Sequence, residues 1–138
     1  MIDDEPVLAE AIAELLGMSG HRVTTASSGT EALALAAESD FHLVIADMMM
    51  PYVTGDEVLA ALRAQGGPAR WLVLMSAAPE QVVRARAGAC NDFLRKPIRP
   101  GELDQLAERC ANSPEISARL HANMVPRARG ANHTPPNV

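Results

Sequence analysis

Two patterns of apolar residues alternate along this chain. In residues 7–19 apolar positions recur every three or four residues, which predicts an amphipathic helix. Residues 41–46 and 71–75 are near-continuous apolar runs, which are typical of strands buried on both faces of a sheet. Further strands are predicted at residues 21–26 and 92–96, and further helices after Ser28, around Val58 to Leu62, from Pro79 to Ala87 and from Pro100 to Ala111. This alternation predicts an α/β domain with a parallel sheet covered on both faces.

The pattern changes after residue 112. Apolar residues recur every four positions after a Ser-Pro helix start, which predicts a short helix over residues 114–124. Residues 125–138 contain prolines and a glycine with little to bury, which predicts a flexible tail. We therefore divide the chain into a domain over residues 1–112 and an extension over residues 113–138. The extension is either an appendage without a role or a helix that docks on a partner or on a second copy.

Length and composition narrow the class of protein. The 138 residues favour one domain, and the apolar fraction of 48% is enough for a substantial core. The formal net charge of −5 argues against a nucleic-acid-binding surface. No apolar run approaches the roughly 18 residues that span a bilayer, and no signal peptide is visible. We therefore expect a cytoplasmic protein without membrane contact.

Five polar side chains lie at the ends of the predicted strands. Asp3 and Asp4 follow the first apolar residues, Asp47 and Ser76 follow the two long apolar runs, and Lys96 ends the last strand. The carboxyl ends of parallel strands open on one edge of the sheet, where ligands bind in such folds. We therefore expect these five side chains to meet in one pocket.

Three carboxylates in one pocket repel each other. Two unit charges about 4 Å apart cost about 4 kcal/mol at a surface-like dielectric constant. A hard cation relieves that repulsion, and Mg²⁺ suits a site of carboxylates, water and phosphate oxygens. The predicted direct ligands are Asp4, Asp47 and the backbone carbonyl of Met49, with Asp3 acting through water.

Asp47 is the predicted nucleophile, because a carboxylate can accept a phosphoryl group as an acyl phosphate. Positioning and charge neutralisation supply most of the catalysis in such a transfer. The Lys96 ammonium and the Ser76 hydroxyl are predicted to contact phosphoryl oxygens. Taken singly, each residue has a structural explanation, since an Asp pair ahead of a helix commonly stabilises its N-terminus. The arrangement of all of them at successive strand ends is the stronger signal.

The ordered set of these residues resembles a known family, the receiver domain of two-component response regulators. The matching segments are Asp3-Asp4-Glu5-Pro6, Leu43 to Pro51, Gly55, Ser76-Ala77 and Phe93 to Pro97. The resemblance covers Met1 to about Asn112. It implies a flavodoxin-like (CheY-like) three-layer sandwich whose five parallel strands have the order 2-1-3-4-5. It also implies a cis peptide bond between Lys96 and Pro97.

The resemblance also implies a function. Asp47 is implied as the site phosphorylated by a histidine kinase or a histidine phosphotransfer protein, with Mg²⁺ required. Ser76 stands at the position of the family's switch Ser or Thr, and Phe93 at the position of an aromatic residue that turns inward on activation. The surface formed by the helix from Pro79, the last strand and the helix from Pro100 is then expected to control a downstream protein.

Two competing interpretations stay open. One is a degenerate receiver that serves only protein interaction or dimerisation, and the other is a Mg²⁺-dependent aspartyl phosphatase or phosphotransferase. Such an enzyme needs a substrate pocket or a cap insertion, for which the short connections leave little room. We therefore expect no enzymatic activity beyond self-phosphorylation and autodephosphorylation of Asp47.

The start of the chain departs from the family pattern. Only Met1 and Ile2 precede Asp3, where receivers have a full central strand, so the first strand is predicted to be truncated. Either the sequence start is incomplete, or the strand is short and a homodimer or strand exchange closes the gap. Three missing buried aliphatic residues cost about 5–9 kcal/mol, which predicts marginal stability.

Overall fold

A computed structural model of the chain describes residues 1–88 and 90–124. The elements in this part of the chain are, in order, α1 (Pro6–Met18), α2 (Gly29–Glu38), β1 (Leu43–Asp47), α3 (Gly55–Gln65), β2 (Trp71–Ser76), α4 (Glu80–Arg86), β3 (Asp92–Arg95), α5 (Glu102–Asn112) and α6 (Pro114–Met124). None of these helices has the length and apolar character that a bilayer-spanning helix needs.

The three strands form a parallel sheet in the order β1-β2-β3. Asp47 of β1 is the register partner of Met75, and Ser76 of β2 is the register partner of Arg95. The apolar runs of the sequence become these strands because they are buried on both faces. Their carboxyl ends therefore reach the same edge of the sheet.

The predicted sheet of five strands is only partly formed. Ile2 makes single parallel bridges to Ala26 on one side and to Ala46 on the other, through backbone hydrogen bonds of 2.8 to 3.0 Å around Ile2. This side of the sheet therefore holds a bridge where a ladder was expected. Residues 21–25 consequently lie outside any strand, and the prediction of a strand over 21–26 is wrong except at Ala26.

The core lies in two layers, one on each face of the sheet. Val44 and Ala46 point toward the side covered by α2 and α3, where they join one apolar cluster. Leu43 and Ile45 point the other way and join a second cluster with α1, α5 and α6. This alternation gives three layers, because successive strand residues face opposite sides.

Helix α6 packs on its own domain. Ile116 is 2% exposed, and Leu120 contacts the cluster that α1 and α5 share. The Arg119 guanidinium donates to the Ala69 carbonyl and forms an ion pair with the Asp40 carboxylate. The short helix predicted over residues 114–124 is present, and its apolar face packs on the domain; whether it has a role, or docks on a partner or a second copy, stays a prediction. The predicted tail at 125–138 lies outside the described residues, and the division at residue 112 stays a prediction.

Candidate functional site

The carboxyl edge of the sheet carries the predicted site. β1 ends at Asp47 and β2 ends at Ser76, and each of these residues is 4% exposed. Asp47 is the register partner of Met75, and the Lys96 backbone N–H donates to the Ser76 carbonyl at 3.0 Å. These pairings place Asp47, Ser76 and Lys96 at one edge, as the strand ends in the sequence predict.

The Lys96 ammonium lies between two buried carboxylates. Its Nζ atom is 3.2 Å from Asp47 Oδ2 and 3.9 Å from Asp3 Oδ2. The Met49 backbone N–H donates to the other Asp47 oxygen, Oδ1, at 3.4 Å. One positive charge is thus shared by two negative charges in a place with little water, where Coulombic attraction and repulsion are both strong.

Asp3, Asp4 and Asp47 form an acidic cluster around this lysine. Each offers a carboxylate oxygen within 4.8 Å of the other two; Asp3 and Asp47 are buried and Asp4 is exposed. Burial raises the pKa of Asp3 to about 6, and the negative charge of Asp47 adds to the shift, whereas the hydrogen bond from the Glu5 backbone N–H opposes it. The cluster therefore holds more negative charge than the ammonium neutralises.

The carboxylate oxygens of this cluster are suitable ligands for a magnesium ion. Asp3 Oδ2 is buried and accepts no hydrogen bond from any residue that the structure describes. A buried oxygen without a donor is costly, and a hard cation supplies the missing positive charge. Sequence reasoning gave Asp3 a water-mediated role and Asp4 a direct one; the assignment of direct and water-mediated ligands, including the Met49 carbonyl, stays a prediction.

Gly55 supports the pocket in a way that sequence reasoning missed. A Cβ atom on Gly55 would lie 2.1 Å from the Asp47 carbonyl oxygen, so only glycine allows α3 to start this close to the end of β1. The Gly55 N–H also donates to the Met48 carbonyl at 3.2 Å. The sequence does offer a signal for this close approach, because Gly55 stands between Asp47 and the helix predicted around Val58 to Leu62. Sequence reasoning used this glycine only for the family resemblance.

A cavity of about 220 Å³ adjoins the pocket between α4 and β3, and Ser76, Val83 and Phe93 are among its lining residues. Phe93 is 41% exposed. The Ser76 hydroxyl oxygen accepts a hydrogen bond from the Ala78 N–H at 2.9 Å. The Lys96–Pro97 peptide bond is cis, which confirms that expectation.

Comparison with known proteins identifies the family. Residues 1–108 match the family described as the response regulator receiver domain. The chain belongs to this family. It is therefore a receiver domain of two-component signal transduction, a signalling phosphoacceptor with the CheY-like α/β fold, and a receiver implies a cognate kinase.

Individual relatives agree with this assignment. The chain is 35% identical over 112 residues to the two-component response regulator ORR3 of Oryza sativa subsp. indica, a match that covers 78% of this chain and 86% of the relative. It spans less than half the length of several transcriptional regulators that it also matches.

Solved structures show the same fold. A response regulator receiver domain protein from Clostridium thermocellum superimposes with a TM-score of 0.72 at 26% identity, covering 88% of this chain and 94% of that chain. The response regulator TrrA from Thermotoga maritima, solved in complex with Mg²⁺-BeF, has a TM-score of 0.66 at 29% identity, covering 78% and 90%. The acidic cluster of this chain is typical of the magnesium site of receivers.

Proposed function

We propose that this receiver accepts a phosphoryl group on Asp47 from a phosphohistidine of a histidine kinase or a histidine phosphotransfer protein. The observation that carries the proposal is the 3.2 Å contact between Lys96 Nζ and Asp47 Oδ2 inside a cluster of three carboxylates. The ammonium places positive charge beside the carboxylate oxygen that would attack phosphorus, where the negative charge of the phosphoryl group arrives.

In the transfer, an Asp47 carboxylate oxygen forms a bond to phosphorus while the P–N bond of the donor breaks, and the bonding electron pair stays on the imidazole nitrogen. The product is an acyl phosphate on Asp47. The Lys96 ammonium then exchanges its contact with the carboxylate for a contact with a phosphoryl oxygen. The Ser76 hydroxyl donates a hydrogen bond to another phosphoryl oxygen. Both groups act by stabilising negative charge where the phosphoryl group arrives.

Asp3, Asp4 and Asp47, with the backbone carbonyl of Met49, are the residues that would hold Mg²⁺. The bound ion supplies positive charge that offsets the carboxylates and the phosphoryl oxygens. The buried Asp3 oxygen without a hydrogen-bond donor supports this assignment.

The proposed output is a population shift in the surface formed by α4, β3 and α5. When Ser76 turns toward the phosphoryl group, its hydrogen bond from the Ala78 N–H is exchanged, and Phe93 turns from its half-exposed position into the neighbouring cavity. A downstream protein reads the altered surface. The parallel bridges of Ile2 support the order 2-1-3-4-5 for the sheet that transmits the change.

The test is incubation with phosphoramidate and Mg²⁺, followed by intact mass. We expect one labile phosphoryl group on the unmodified chain and none on Asp47→Ala. Asp104→Asn is the matched control, because Asp104 is an exposed carboxylate on α5 and its change should leave labelling intact. No labelling of the unmodified chain would favour the degenerate interaction module, whereas turnover of small phosphate esters would favour an aspartyl phosphatase.

A further inference from the structure

Helix α6 lies beyond residues 1–108, so the family match does not account for it. It covers the amino edge of the sheet, opposite the phosphoacceptor pocket. Its Arg119 contacts Asp40, just ahead of β1, and the Ala69 carbonyl, just ahead of β2. A single side chain thus joins the segments that lead into two neighbouring strands.

The packing under α6 is incomplete. A cavity of about 70 Å³ lies between the helix and the sheet, and its lining includes His21, His42, Leu43, Cys110, Ile116 and Leu120. The His42 side chain is 5% exposed in total, and its Nε2 atom is buried without a hydrogen-bond partner among the described residues. A cavity loses packing contacts and an unsatisfied buried nitrogen adds a further cost, so the contact between α6 and the sheet is weaker than a fully packed one.

The surroundings of His42 disfavour a positive charge there. Burial lowers the pKa of His42, and the Arg119 guanidinium of α6 lowers it further, whereas Asp40 raises it. Asp40 is itself engaged by Arg119. From α5, the Cys110 thiol donates to the His42 carbonyl at 3.8 Å, and His21 reaches the same cavity from the connection after α1. Among the described residues whose charge acts on this imidazole, Asp40 favours the protonated form and Arg119 disfavours it.

We propose that α6 is a strap that closes over the amino edge of the sheet while His42 is neutral and opens when His42 takes up a proton. Opening brings the imidazole into water and away from Arg119, so the open state binds a proton more tightly than the closed state. The closed state is therefore fully favoured above the ordinary imidazole pKa of about 6.5 and is weakened as the pH falls below it. Linkage to one proton limits the effect to about tenfold in the opening equilibrium for each pH unit.

Amide hydrogen exchange measured by mass spectrometry between about pH 5.5 and 7.5 tests the strap. After correction for the intrinsic exchange rate, we expect the opening equilibrium of α6 to rise by up to about tenfold per pH unit below 6.5, with α5 unchanged. In His42→Gln, which keeps a polar side chain but cannot titrate, the α6 opening should not depend on pH.

His121→Gln is the matched control, because His121 is an exposed histidine on the same helix and its loss should leave the pH dependence of the unmodified chain. The proposal is overturned if His42→Gln keeps that dependence, or if α6 and α5 are equally protected at every pH. Neither result bears on phosphorylation of Asp47, which is measured separately.

A second measurement needs no change at His42. The imidazole resonances of His42 can be followed by NMR in the unmodified chain over the same pH range. We expect the chemical shifts of these resonances and of the α6 amides to change together with pH, with a midpoint below pH 6.5. Titration of His42 without any change in α6 would overturn the proposal even if His42→Gln failed to fold.

Discussion

The two edges of the sheet differ in how their charged side chains are paired. At the carboxyl edge, Asp3 and Asp47 are buried together and share the ammonium of Lys96. At the amino edge, Arg119 meets one carboxylate, that of Asp40, and one backbone carbonyl. The carboxyl edge therefore keeps an excess of negative charge, while Arg119 and Asp40 at the amino edge neutralise each other.

The direction of the helices adds to this difference. The C-terminal ends of α2 and α3 lie at the amino edge, where their free carbonyls carry partial negative charge. Arg70 donates to the Ala36 carbonyl in the last turn of α2 at 3.5 Å, and Arg63 lies in the last turn of α3. These cations complement the helix ends. The comparison indicates that the cations of the amino edge meet a carboxylate and carbonyl groups, whereas the carboxyl edge keeps an excess of negative charge that a cation can offset.

The largest effect is expected from crowding the carboxyl edge with Gly55→Ala. The added methyl group would lie 2.1 Å from a backbone oxygen that cannot move without displacing Asp47, so we expect a loss of more than about 3 kcal/mol in unfolding free energy. Urea denaturation measures it. Gly17→Ala is the control, because nothing lies within 4 Å of that position and the same change there should stabilise α1 by about 0.5–1 kcal/mol. Equal effects of the two changes would show that the close approach at Gly55 is absent.

The next effect tests whether α6 belongs to the folded core. Ile116→Ala removes a side chain that is 2% exposed, and we expect a loss of about 2–3 kcal/mol in unfolding free energy. Leu15→Ala on α1 is the comparison, since Leu15 is 52% exposed and its truncation should cost only a few tenths of a kcal/mol. A loss at Ile116 as small as that at Leu15 would mean that α6 is not docked in solution.

Sequence reasoning succeeded where a local pattern determines a position in space. Asp47, Ser76 and Lys96 each end a predicted strand, and parallel strands end at a common edge, so their meeting followed from the apolar runs. The order β1-β2-β3 agrees with the order that the family resemblance implies for the last three strands.

Sequence reasoning failed where the outcome depends on distant partners. The apolar spacing of residues 114–124 shows that one face of α6 is apolar but not which surface covers it. Arg119 and Asp40 are 79 positions apart, and no motif links them. The segment 21–26 contains β-branched residues, which favour a strand, but a strand forms only when a neighbouring strand pairs with it along its length, and Ile2 supplies a single bridge.

The smallest effect concerns the charge imbalance itself. Asp3→Asn removes a carboxyl group whose pKa is raised to about 6 by burial, so its ionisation destabilises the folded state at pH 7. In metal-free buffer we therefore expect the variant to be more stable. The gain is limited to about 1 kcal/mol because Lys96 and water screen part of the repulsion. Since the unfolded carboxyl titrates near pH 4, this gain should vanish below that pH and grow as the pH rises to 6. Thermal melts at several pH values, with and without Mg²⁺, measure the pH dependence of this gain and the effect of the metal ion on both proteins. Mg²⁺ should stabilise the unmodified chain more than the variant. A variant that is less stable in metal-free buffer would mean that the pair of Asp3 and Lys96 outweighs the repulsion, and the contrast between the two edges would be lost.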